Sequence, residues 1–128
     1  MIVVDTSVWI DFLRRVRTPQ TETLVANMRP VNMMIGEPIL LEVLQGARDD
    51  RHAVALESDL RLFLVEGMFA PDVAVRAAAN YRTLCARGIT IRKTIDVVIA
   101  TYCIANGHHL LHDDRDFEHF RPLGLLEA

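Results

Sequence analysis

A chain of 128 residues with a formal charge of −3 is long enough to bury one core and too short for two. It is 51% hydrophobic, with a mean hydropathy of +0.19, yet no apolar run approaches the roughly 18 residues of a bilayer span. Asp5 also interrupts the opening Ile-Val-Val before a signal-peptide core can form, so the expectation is a cytoplasmic protein, not inserted in a membrane, folded as a single domain over 1–128.

In chain order, residues 2–4 predict a short buried strand ending at Asp5. Residues 6–14 read as a helix, and Pro19 opens another that runs to about residue 29. An apolar strand follows at 31–35. Gly36, Glu37 and Pro38 start a helix with proline in its first turn, and Gly46 closes it. Residues 52–65 carry a helical period, with Ala53, Leu56, Leu60, Phe63 and Leu64 on one face. A short strand is expected at 68–70. Asp72 is expected to cap the next helix, which carries Val73, Ala77, Tyr81 and Leu84 and stops at Gly88. Thr94 is expected to cap the one after it, which ends at Asn106 and Gly107. Residues 109–112 read as a strand, 116–120 as a helical turn and 123–126 as an edge strand. The alternation predicts an α/β fold of three layers, α/β/α, around a central parallel sheet of about four to five short strands with right-handed crossovers.

In such a fold, helices that feed strands begin at the sheet's carboxyl edge, where ligands bind. Asp5 and Asp114 follow strand ends. Asp96 lies in the first turn of a helix leading into a strand, and Glu42 lies about one turn into its helix with a side chain long enough to reach the same edge. Each acid alone has an ordinary reading: Asp5 as a helix cap, Asp96 as a first-turn acid favoured by the helix dipole, Asp113, Asp114 and Asp116 as a solvated turn. Glu42 fits that reading least, because Ile39, Leu40, Leu41, Val43 and Leu44 surround it. Two carboxylates about 5 Å apart repel by roughly 3 kcal/mol at an effective dielectric near 20, so a cluster of four calls for a cation. Ligands that are all oxygen select a hard divalent ion, Mg²⁺ or Mn²⁺, and suit metal-assisted phosphodiester hydrolysis.

Net negative charge opposes a nucleic-acid role at first sight. Setting the four site acids aside turns −3 into +1. The basic residues are thirteen Arg and Lys93 alone, and Arg14, Arg15 and Arg17 are candidate phosphate contacts, although a solvated loop is the simpler account of them. Cys85 and Cys103 lack zinc-knuckle or redox-pair spacing and read as reduced thiols. The high apolar fraction leaves surface for a partner or a twin subunit.

At these residues the chain resembles a PIN-domain ribonuclease, specifically the VapC-like toxin of a toxin-antitoxin pair. The resemblance runs over nearly the whole length and rests on IVVDTSVWIDFL at the start, the helix PILLEVLQG, the segment IDVVIATYCIANG, and LLHDDRDF near the end. It implies an endoribonuclease whose metal-binding acids are Asp5, Glu42, Asp96 and Asp114, with Asp116 as a fifth. It also implies that Thr6 and Ser7 supply hydroxyls that position the first acid and its bound water. Such toxins commonly carry Thr or Ser two residues before the last acid; here that position is His112, which lacks the hydroxyl and leaves two alternatives, an imidazole that replaces the contact or one that tilts the site toward Mn²⁺. The resemblance further implies an RNA substrate, a homodimer, and a VapB-like antitoxin over the acidic pocket, with Trp9, Phe12, Leu13, Leu40 and Leu44 lining its groove unless they belong to the core.

Three other readings compete. A zinc site from His108, His109, His112 and His119 is opposed by strand alternation and by the lack of a cysteine partner. A receiver-like signalling module needs an acidic pair after strand one and a lysine after strand five; residue 6 is Thr, and Lys93 stands elsewhere. A catalytically silent PIN-like binding module retains all the acids without turnover.

Overall fold

The computed structural model describes residues 1–128. Five strands form one parallel sheet in the order β3-β2-β1-β4-β5: β1 Ile2–Val4, β2 Met33–Gly36, β3 Leu64–Glu66, β4 His109–Leu111 and β5 Leu126–Glu127. The central strands are buried on both faces, with Val3, Val4, Met33, Met34, Ile35, Leu110 and Leu111 all nearly inaccessible. This is why they read as continuous apolar runs without alternation. Val4 pairs with Leu111 and Gly36 with Glu66, so the strands end almost level and share one carboxyl edge.

The helices are α1 Thr6–Leu13, α2 Pro19–Ala26, α3 Glu37–Gln45, α4 Asp50–Leu60, α5 Pro71–Ala86, α6 Thr94–Asn106 and α7 Arg115–Glu118, with a 3₁₀ turn at Arg121–Leu123. Local chemistry sets several of their ends. Thr18 and Thr21 cap α2 reciprocally, with Pro19 at its first position. Gly107 takes φ +66° after α6, a conformation that costs glycine little. Helix α6 is buried almost all round, through Val97, Val98, Ile99, Ala100, Thr101 and Cys103, and α5 covers it.

The largest departure from the expected elements concerns residues 60–70. The helix stops at Leu60, Phe63 lies in the approach to β3, and Leu64 is the first residue of that strand, which pairs with Met34–Gly36; no strand forms at 68–70. Periodicity carried the expected helix too far because a three-residue strand directly behind a helix adds too few positions to break a 3.6-residue pattern. Met68, the apolar residue that suggested a strand, is instead a plug. It is fully buried over Gly36, where any Cβ would overlap its thioether.

Smaller corrections follow at the helix and strand ends. The N-cap of α5 is Ala70, with Pro71 and Asp72 already helical. Lys93 occupies the N-cap of α6 and Thr94 is its first residue, without a side-chain cap. The last strand lies later than 123–126 because Gly124, at φ +106°, turns the chain after the 3₁₀ segment. The helical turn expected at 116–120 is α7, which Asp114 caps.

Candidate metal centre

Connectivity delivers the acids. Asp5 directly follows β1 and caps α1; its Oδ2 accepts from the Ser7 amide at 3.2 Å and the Ser7 hydroxyl at 2.7 Å. The Thr6 hydroxyl donates to Glu42 Oε1 at 3.0 Å, joining the start of α1 to α3. Thr6 and Ser7 therefore each orient a different carboxylate. The capping reading of Asp5 and the site reading coexist, since a cap occupies one oxygen of two.

Asp114 follows β4 and caps α7, its Oδ1 accepting from the Asp116 amide at 2.9 Å. Asp96 sits in the first turn of α6 and is only 5% exposed. Its Oδ2 is buried and accepts no hydrogen bond. One carboxylate oxygen from each of Asp96, Asp114 and Asp116 lies within 4.8 Å of the others. Oxygens about 2.1 Å from a common ion stand roughly 3 to 4 Å apart, so small side-chain rotations bring this trio to ligand spacing. Asp5 and Glu42 lie outside that triangle but act on it through their charge.

That charge is visible in Asp96. Burial, then the negative charges of Asp5 and Asp114, push its carboxyl up to about 7; Glu42 adds a smaller push, and Lys93 opposes them. A carboxylate that resists ionisation, has an oxygen without a donor and faces two further acids fits a hard divalent cation. The ion would supply both the missing partner and the missing charge.

Two cations border the cluster that the sequence did not single out. Arg92 Nε stands 3.8 Å from Asp116 Oδ2 with its side chain largely in solvent, and Lys93 is close enough to lower Asp96. Their place immediately before the helix bearing Asp96 was the available signal. Arg14, Arg15 and Arg17 are exposed at and beyond the far end of α1, an eight-residue helix about 12 Å long.

The histidines do not gather. His108 packs at a tilt against Tyr102 and approaches the N-terminal amine at 3.5 Å, whereas His112 pairs with Glu127, and the sole cluster with metal-ligand spacing is carboxylate. Trp9 belongs to the core at 3% exposure, packed against Phe12 and Phe63. Leu13 remains exposed and lines, with Ile10, Val43, His52 and Leu56, a cleft of about 330 Å³ between α1, α3 and α4.

Fold and site together define a class: a parallel α/β/α protein whose carboxyl edge collects acids around a position for a hard cation. Residues 2–122 match the PIN domain, and the chain belongs to that family. It is 32% identical to ribonuclease VapC11 of Mycobacterium tuberculosis and, equally, to VapC ribonuclease Mb1587 of Mycobacterium bovis, in each case over 100% of this chain and 97% of the relative. The DNA-bound VapBC of Salmonella typhimurium shares the fold at a TM-score of 0.76, with 20% identity over 99% of this chain and 96% of that one.

Proposed function

We propose that this protein is a divalent-metal-dependent endoribonuclease and the toxin of a toxin-antitoxin pair. The observation that carries the reading is the Asp96–Asp114–Asp116 cluster with its unpartnered buried oxygen, in a chain 32% identical over its full length to proteins named as VapC ribonucleases. Asp96, Asp114 and Asp116, with Asp5, would hold Mg²⁺ or Mn²⁺. When bound, such an ion supplies Lewis-acid neutralisation of the charge that builds on the phosphodiester under attack.

The protein's own groups do the rest. Glu42, held by the Thr6 hydroxyl, orients the attacking water and takes its proton. Ser7 fixes the orientation of Asp5. Arg92 and Lys93 flank the acids and offer charge to the neighbouring phosphates of the strand. In-line attack by water leaves 5′-phosphate and 3′-hydroxyl ends and makes no use of the 2′-hydroxyl, so preference for RNA rests on contacts outside the reacting atoms.

The partners follow from the same reading. A VapB-like antitoxin would cover the acidic pocket and seat apolar side chains in the cleft beside Leu13, and the remaining apolar surface would pair two copies of this single domain. No helix is long and apolar enough to cross a membrane, consistent with action in the cytoplasm. Asp96→Asn should reduce cleavage of total RNA at least about a hundredfold while leaving the circular dichroism spectrum unchanged, and chelator should do the same to the wild type. Cleavage that persists at full rate in both experiments would falsify the assignment.

A further inference from the structure

Asp114 ends the short turn between β4 and α7, Asp116 lies in the first turn of α7, and one side chain organises the β4–α7 turn. His112 is nearly buried, 8% exposed, with its ring against Phe117 at a centroid distance of 5.0 Å. The Asp114 amide donates to its Nδ1 at 3.2 Å. The acceptor role at Nδ1 requires the neutral ring with its proton on Nε2, and Nε2 lies 2.6 Å from Glu127 Oε1. Glu127 Oε2 in turn accepts from Arg121 Nε at 2.6 Å.

We propose that His112 is a positioning residue of the metal centre. Its Nδ1 holds the backbone of Asp114, and Glu127 and Arg121 lock its ring in the tautomer that can accept. The inference rests on the metal-site reading above and adds to it the groups that fix the geometry of two of its acids. A side chain that bonds the amide two residues ahead is the interaction Ser, Thr, Asn and Asp make in tight turns. An imidazole reproduces it here, but only if something fixes which nitrogen carries the proton, and Glu127 does this from β5, fifteen residues away. Once the Asp114 backbone is set, its Oδ1 fixes the Asp116 amide at 2.9 Å, so one hydrogen bond is passed on to the second acid. Groups that orient ligands in this way typically govern metal affinity by about 10- to 100-fold.

The two nitrogens can be tested separately. In His112→Asn the side-chain oxygen replaces Nδ1 and nothing reaches Glu127; in His112→Gln the amide reaches Glu127 and the acceptor for Asp114 is lost. Mn²⁺ binding to the intact protein is read from the electron paramagnetic resonance signal of the free ion, independently of RNA cleavage. We expect His112→Gln to weaken Mn²⁺ binding by about tenfold or more and His112→Asn to stay within about threefold of wild type. Glu127→Ala should weaken binding in the wild-type background and have no further effect in His112→Asn, where no tautomer remains to be fixed. Because Glu127 is partly exposed, this pair carries the test even where His112→Gln folds poorly. Wild-type affinity in His112→Gln, equal losses in both His112 variants, or an undiminished Glu127→Ala effect in His112→Asn would each overturn the proposal. Asp96→Asn serves as the control. If it abolishes Mn²⁺ binding while the His112 variants leave it unchanged, the positioning role alone fails; if it leaves binding intact, the metal-site reading fails and takes the positioning role with it.

Discussion

Helix α3 carries two glutamates five residues apart, and the sheet edge uses them in opposite ways. On the β2–β3 side, Glu37 Oε1 accepts from the Met68 amide at 3.1 Å and the Phe69 amide at 3.3 Å, fastening the chain as it leaves β3. On the β1–β4 side, Glu42 meets one hydroxyl and Asp96 leaves an oxygen with no donor at all. Main-chain donors satisfy the first carboxylate and leave it inert. The second side keeps its acceptor capacity unspent in a buried place, which is costly to folding and therefore informative about function.

The widest separation between the two sides should appear in metal-free thermal unfolding at pH 8. Asp96→Asn removes a carboxylate that burial and its neighbours hold up to about 7, against an ordinary value of 3.8, and should stabilise the protein by about 2 to 4 kcal/mol. Glu37→Ala leaves the half-buried Met68 amide without its acceptor, while the exposed Phe69 amide turns to water, and should destabilise the protein by about 1 kcal/mol while Mn²⁺ affinity stays unchanged. Shifts of the same sign in both variants would break the comparison.

A second measurement sharpens it through pH. Asp96 has a folded value above its unfolded one, so it binds a proton more readily in the fold. The stability this contributes is complete below about pH 4 and is lost as the pH rises towards 7. Metal-free protein should therefore lose stability across that window, and Asp96→Asn should lose less. Saturating Mn²⁺ should reverse the trend, stabilising more at pH 8 than at pH 6, because the ion and the proton compete for one carboxylate. Melting temperatures on a pH series with and without the ion decide this.

The smallest expected effect concerns the rim. Arg92→Ala with Lys93→Ala should raise the KM for RNA by a few-fold and flatten its salt dependence, since each phosphate contact contributes to counterion release. The equivalent change at Arg14, Arg15 and Arg17 should do less. Initial rates at two salt concentrations distinguish the two groups.

Most of the candidate site was legible because its acids are announced locally. Asp5 and Asp114 stand where apolar runs stop, Glu42 interrupts an apolar helix, and Asp96 opens a helix that is apolar on every side. Helix starts and strand ends then place them at one edge without any knowledge of contacts. What stayed hidden was set by partners distant in the chain. The strand Leu64–Glu66 exists because Met34–Gly36 offers it a free edge, and its own three residues carry no strand signature. Glu37 and Glu127 look like ordinary surface acids until Met68 and His112 are brought to them. The sequence marks Arg92 and Lys93 only as two charges before a helix.

One feature of the sheet decides when the acids of the proposed centre can come together. Strand β1 is flanked by β2, made some thirty residues later, and by β4, made more than a hundred residues later, and Asp114 and Asp116 come after that. A chain still on the ribosome holds Asp5 and Glu42 early, but the third side of the pocket has not been translated. Insertion of β4 beside β1 is a long-range closure, slow compared with forming the helices between them. On the proposed reading the metal centre is complete only once β4 has been made and inserted beside β1, so Asp5 waits for partners that lie more than a hundred residues further along the chain.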